Sequence, residues 1–574
     1  MTRLRTVLLF LIASLLAPAL AARAQTRELA GRLPSDTLFY LYSRGAASVP
    51  AGTSNALVSL WNDPGFAPAR QLILEGITDD LSSNPRFAKV PASEWEDLLR
   101  DPFLLGARLK PPSEHAGGAE AHEGKEEAAT PKSSLSVFLV VAAQGKAAED
   151  ARDALLGARP GASVRLTSSG YLLAAGDHET MEMLLAHYGG VAPAASDTIA
   201  SLPSYQEARR ELAGLPSLEW FLRVPDVSTL QLKGTPGFDT GAFFRALHLE
   251  RIHLLCGGID LAAPTAGLRA AILGDTSPGS LFDLFGANTS SFPTLAAAPP
   301  GSSINISRLD LGAVVSTVVN AMTAATGPEG APRVQMIAGL VSASVLPALG
   351  GEYTSIWPHS VTTASVPPLF VMTIHQQAAT QLFESTLAPF VQPAGQEGTI
   401  RYFRTVTRKP GAEAAGDAGA AGKNDDAAGK AAAAKPKTPA VSPETSFLAL
   451  TPQFLLVGRD EQLVHQRARA LTAATPPPGL AEGSHFRAAR AGLPAELSGL
   501  GFFDLQHINW TKSIEQAAAR MAKNKRDPHA AQRAAALEKW AKAGGGAVLA
   551  RHLHEIIGGS QKDAHGIHWS GHIH

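Results

Sequence analysis

The residues best suited to chemistry lie in 551–574, which reads RHLHEIIGGSQKDAHGIHWSGHIH and holds His552, His554, His565, His568, His572 and His574. A neutral imidazole nitrogen is a ligand for zinc, copper or nickel. If Gly566–His574 is a strand, residues two apart share a face. His568, Ser570, His572 and His574 then line one side, and Ile567, Trp569 and Ile573 line the other. Two or three imidazoles on one face make a candidate transition-metal site, with His568, His572 and His574 as the ligands and Glu555 or Asp563 as further participants. The competing reading is the solvent face of an amphipathic strand, since the pattern has no fixed carboxylate or Cys partner. The matching hairpin earlier in the chain, Ile259–Leu273, contains no histidine, which favours this second reading.

Other chemistries find no support. There is no Gly-x-Ser-x-Gly turn, no His-Glu-x-x-His site and no EF-hand loop. The nearest approach to a phosphate loop, Asp417–Asn424, has Asp417 where the first Gly belongs and Asn424 where a Ser or Thr would hold magnesium. The carboxylates Glu94, Glu96 and Asp97 begin a helical pattern, where acids stabilise the positive dipole end. Glu126/Glu127 and Asp425/Asp426 lie in polar linkers. Cys256, the one cysteine, sits in the apolar run Ile252–Cys256 and reads as a small buried hydrophobe, so no intrachain disulfide is available. Trp61–Phe66 contains the turn signal Asp63-Pro64-Gly65 between packing residues. No catalytic residue emerges.

Short β-rich runs such as Phe138–Val141 and Phe454–Val457 read as strands. Two capping boxes, Ser93/Glu96 and Ser204/Glu207, predict helices over Glu94–Arg100 and Tyr205–Leu212, stopped by Pro102 and Pro216. Strands mixed with short helices, without βαβ alternation, predict an α+β fold with mainly antiparallel sheets.

The chain also echoes itself. Ser136–Val141 resembles Pro368–Thr373, and Tyr171–Asp177 resembles Phe454–Asp460. Trp220–Val224 corresponds to Gly501–Leu505, and Leu255–Gly258 to Ile556–Gly559. The opening Leu33–Tyr40 is matched by Pro299–Ile306. An ordered series of this kind predicts an internal duplication, with one α+β unit over 25–284 and a second over 295–574. Pro111–Ser134 and Lys409–Thr445 are almost devoid of large apolar residues and predict disordered insertions within these units.

The first residues, MTRLRTVLLFLIASLLAPALAARAQ, combine Arg3 and Arg5 with the apolar run Val7–Leu16 and the small-x-small pattern Ala22-Arg23-Ala24. This predicts a signal peptide over 1–24, cleaved between Ala24 and Gln25, and hence a periplasmic or secreted protein. Later apolar stretches, Leu311–Met322 and Ile337–Leu349, are interrupted by small polar residues or glycine, so no membrane span is expected in the mature chain. A net charge of −1 argues against nucleic acid as a partner.

The opening Leu33-Pro34-Ser35-Asp36-Thr37, and strands ending in Asp177 and Asp460 before helices, resemble an exported bacterial family catalogued only as a domain of unknown function (number 3352). That resemblance implies large signal-peptide-bearing proteins built of similar units, and it brings no activity or site residues. Two functions remain in view. One is a non-enzymatic binding or scaffolding protein whose sheet surface takes a protein partner or an apolar ligand. The other is a metal-dependent enzyme or metal-binding protein using the histidines above.

Overall fold

The computed structural model describes residues 29–45, 49–50, 52–82, 101–110, 134–142, 146, 148–150, 152–153, 163–212, 216–225, 238–358, 368–405, 445–524 and 529–574. The expected signal peptide, the Ser93/Glu96 capping box, the Asp417–Asn424 segment and all but the last residue of each expected insertion lie outside the described residues.

The first half contributes strands β1 (Thr37–Ser43), β2 (Phe103–Lys110), β3 (Ser134–Val141) and β4 (Ser163–Leu166). It continues with β5 (Leu172–Ala175), β6 (Leu218–Arg223), β7 (Ile252–Asp260) and β8 (Ala266–Gly274). The second half adds β9 (Ser303–Arg308), β10 (Leu349–Trp357), β11 (Leu369–Ile374), β12 (Val391–Glu397) and β13 (Ile400–Thr405). It ends with β14 (Phe447–Leu450), β15 (Phe454–Gly458), β16 (Gly499–Asp504), β17 (Glu555–Lys562) and β18 (Gly566–Ile573).

All described pairings are antiparallel and join into one sheet. From the central pair β8–β18, the first half runs outward as β7, β6, β1, β2, β3, β5 and β4. The second half runs outward as β17, β16, β9, β10, β11, β15 and β14, followed by β13 and β12. The class is α+β with an antiparallel sheet, as the sequence predicts.

The pairings also fix which residues occupy like places. Tyr40 lies opposite Phe221, and Ile304 lies opposite Phe502. Tyr40 therefore takes the place of Ile304, two residues from the match read in the sequence. Phe138 and Val140 are buried, as are Leu369 and Val371, whereas Phe370 is 49% exposed. The sequence match of Phe138 with Phe370 is thus one residue out. In a strand, a slip of one moves every side chain to the opposite face.

In each half a capped helix packs on the same face of the sheet, while Gln376–Gln381 and the turn after it pack on the other face of β14 and β15. Asp177 caps α3 (His178–Tyr188) through the Thr180 amide, and Asp460 caps α8 (Glu461–Thr472) through the Leu463 amide. A carboxylate there satisfies one of the orphan amides of the first turn. Met181, Leu184 and Tyr188 of α3 pack on Tyr40, Phe138, Phe221 and Cys256. Val464 and Ala468 of α8, with Phe486 of α9 (Ser484–Arg490), pack on Leu456, Phe502 and Ile557. Full burial of a side chain such as Phe221, stacked 5.3 Å from Tyr40, is worth roughly 1.5–3 kcal/mol.

Helix α4 (Pro203–Glu211) corrects the second capping box. It begins at Pro203, Leu202 is the cap residue, and no side chain caps it. Proline at the first position has no amide hydrogen to satisfy and its φ is already helical. Ser204 thus falls inside the helix, and Glu207 meets His253 at 2.8 Å instead.

A separate helical group joins residues 56–82 to residues 510–552. Helices α1 (Ala56–Asn62) and α2 (Ala67–Ser82) meet α10 (Trp510–Ala522), α11 (Ala530–Trp540) and α12 (Gly546–His552). Leu60, Trp61, Phe66, Ile514, Trp540 and Val548 form its core. The Trp61–Phe66 segment is therefore turn and core. Asp63 accepts hydrogen bonds from the Gly65 amide and Arg551, and its Oδ2 lies 2.8 Å from His552 Nε2.

Candidate functional site

The face of the central sheet away from α3 and α8 carries a groove of about 550 Å³. Its floor is a row of residues directly opposite one another. Asn305 of β9 lies opposite Gly501 of β16, Gly501 opposite Gly558 of β17, Gly558 opposite Gly571 of β18, and Gly571 opposite Leu268 of β8. Strands stand about 4.8 Å apart, so the three glycines leave a bare stretch roughly 10 Å long. Glycine inside a strand forgoes packing and marks a place where something approaches the backbone closely.

Side chains two residues away along the strands make the walls. Ser560 and Trp569 stand directly opposite each other on one side, and Phe503 and Ile556 do so on the other. Phe503 is 40% exposed and lies 6.1 Å, ring to ring, from Trp357. Trp220 continues the first wall over Gly257, where a Cβ would meet the indole at 2.5 Å. Phe285 and Tyr353 also line the groove.

Its polarity is distinctive. The charged residues on the lining are Arg269 and Arg308. Strand alternation turns both side chains to the opposite face. There Arg269 donates to the Leu212 carbonyl at 3.0 Å and Arg308 to the Ala287 carbonyl at 2.8 Å. The Asn305 amide and the Tyr353 hydroxyl, both on the groove face, make no hydrogen bond with any described residue.

The histidine-rich segment lies on the reverse face. Gly566–Ile573 is a strand, and His568, Ser570 and His572 share a face opposite Ala271, Arg269 and Gly267. His568 Nδ1 lies 2.7 Å from Glu211 of α4, and its Nε2 lies 2.9 Å from Asp563. Both ring nitrogens therefore face carboxylates. His572 Nε2 lies 3.1 Å from the Gly492 carbonyl, and its ring is 6.3 Å from that of His574. Four residues of strand, about 13 Å, separate His568 from His572. Among the described residues no three His, Cys, Asp or Glu side chains converge on a point that could hold a metal ion.

Glu555 is buried, with Asp504 opposite it on β16 and His574 beside it just past the end of β18. Burial holds its carboxyl above the usual range. Cys256 is fully buried, and burial pushes its thiol up to about 12. Asn288 is tied to the Lys562 backbone and Asn509 caps α10, while Asn305 faces the groove.

The sequence signals two features of the groove, the glycines in strand interiors and Trp569 on the face away from the histidines. The pairing that brings Gly501, Gly558 and Gly571 side by side comes from the fold. Among the described residues, no helix is long and apolar enough to cross a membrane. Comparison with protein-family models, with curated proteins and with solved structures yields no match for this chain.

Proposed function

We propose that this is a non-enzymatic binding protein that works outside the cytoplasm and holds an apolar small molecule in the central groove of its sheet. One observation carries this reading: a charge-free groove with a glycine floor and aromatic walls, of a volume common for ligand sites. The mirrored strand order on either side of β8–β18 supports an origin by duplication, with the groove formed at the join. The resemblance to an exported family brings no activity of its own, and the export reading rests on the N-terminal sequence.

Native mass spectrometry of the untagged protein from its own cell envelope tests the proposal. The denatured mass should correspond to a chain starting at Gln25. The native mass should exceed it by a molecule that an apolar fluorescent probe displaces. Filling the floor by Gly501→Leu should abolish that retention, with Gly501→Ala as the folding control. A native protein that carries nothing, and takes up no apolar probe, refutes the binding reading.

A further inference from the structure

The chemistry of the groove goes further than its apolarity. Resting on the binding reading above, we infer that its ligand is an uncharged single-chain lipid, an ester or alcohol, and not a fatty-acid anion.

Charge complementarity selects the head group. Arg269 and Arg308 are committed to backbone carbonyls on the reverse face. Lys562 points toward the groove side of β17, but it lies 3.6 Å from Asp283 and is already paired. A carboxylate placed beside Asn305, which is exposed at the end of the groove, would find no counter-ion on this face while its chain lies on apolar walls. An uncharged ester or hydroxyl needs only hydrogen bonds. The Asn305 amide offers both a donor and an acceptor, and the Tyr353 hydroxyl offers either.

The groove also has a direction. Its floor runs from Asn305 at one end, over the three glycines, to Leu268 at the other. Four strand spacings separate these ends, about 19 Å. A molecule polar at one end and apolar along its length fits that gradient, with its head at Asn305 and its chain over the glycines toward Leu268. Between the Trp569 and Phe503 walls the bare floor takes one chain.

The test is competition between two ligands that share a chain and differ in charge. The full-length mature protein, loaded with an apolar fluorescent probe, is titrated with 1-monopalmitoylglycerol and with palmitate at pH 8, below their aggregation concentrations. Monopalmitoylglycerol should displace the probe at a concentration at least about tenfold lower. Asn305→Leu should narrow that preference several-fold, read as the ratio of the two displacement concentrations. Palmitate displacing the probe as well as the monoacylglycerol does, in a manner that Gly501→Leu abolishes, overturns the inference and leaves the apolar-groove reading standing. Failure of the protein to bind the probe, or probe binding that Gly501→Leu does not reduce, overturns the groove reading itself.

Discussion

A methyl group added at two glycines of the sheet, Gly106 and Gly501, should have opposite effects on stability. Gly106 of β2 lies directly opposite Phe138 of β3, and the ring folds over the glycine. A Cβ at Gly106 would sit 2.3 Å from Phe138 Cζ and 2.4 Å from Cε2. Phe138 is 2% exposed and packed among Leu104, Val140 and Tyr42, so the ring has nowhere to swing. Overpacking of this kind costs about 1–3 kcal/mol. At Gly501 the nearest atoms to an added Cβ are Phe503 Cε2 at 3.7 Å and the Gly558 carbonyl oxygen at 3.9 Å, ordinary contact distances. There the loss of unfolded-chain freedom should dominate and stabilise the protein by about 0.4–1 kcal/mol. Gly106→Ala and Gly501→Ala should therefore differ by about 2 kcal/mol in urea unfolding, seen as midpoints moved in opposite directions at an unchanged slope. A Gly106→Ala protein as stable as the wild type would refute the claim that the Phe138 ring is locked. A Gly501→Ala protein destabilised by more than about 1 kcal/mol would show that the groove floor lacks the room described.

Four further outcomes are expected. Asp460→Ala should cost about 1 kcal/mol as the loss of a helix cap; Asp177→Ala should cost more, because Asp177 also accepts from Ser136 and Thr180, and equal losses in thermal melts would contradict this. The hydrogen bond from His552, followed by that from the Gly65 amide, holds the Asp63 carboxyl below its ordinary range. Its stabilisation is present above the unfolded value of about 3.9 and is lost as pH falls through the lower folded value, so Asp63→Asn should flatten the acid limb of melting temperature against pH. With its thiol pushed up to about 12, Cys256 should resist a disulfide reagent at pH 8 in the native protein and react on unfolding; rapid native labelling would contradict its burial. Zinc added alone should leave the melting temperature unchanged, and a stabilisation abolished by replacing His568, His572 and His574 with Ala would support the metal reading instead.

Local chemistry makes part of this molecule legible in its sequence. Asp177 and Asp460 announce helix starts because a short carboxylate before an apolar run has one natural task. The alternation in Gly566–Ile573 is enough by itself to place the histidines and Trp569 on opposite faces. Register is harder to read. Phe138 and Phe370 look alike, but Phe138 is buried and Phe370 exposed, because pairing with β2 and β10 decides which face each strand turns inward. Ser204 and Glu207 fit a capping box that would start the helix at Tyr205, yet Pro203 starts it two residues earlier. The groove is the least legible feature. Its floor joins Asn305, Gly501, Gly558 and Gly571, residues up to hundreds of positions apart, and each glycine alone reads as a weak point in a strand.

The central pairing of β8 with β18 also bears on how the chain reaches its native state. Ala270 and Trp569 are partners across that seam, among the most distant strand pairings in the sequence. Contacts so remote carry a large loop-closure cost and form late. During synthesis β8 is complete long before its neighbour exists, and until β18 arrives it presents an open row of amides and carbonyls. Such an edge invites pairing with another chain. A protein shortened before Gly566 would keep that edge permanently and should associate through it, so the last strand acts as a cover for the first half as well as a wall of the groove.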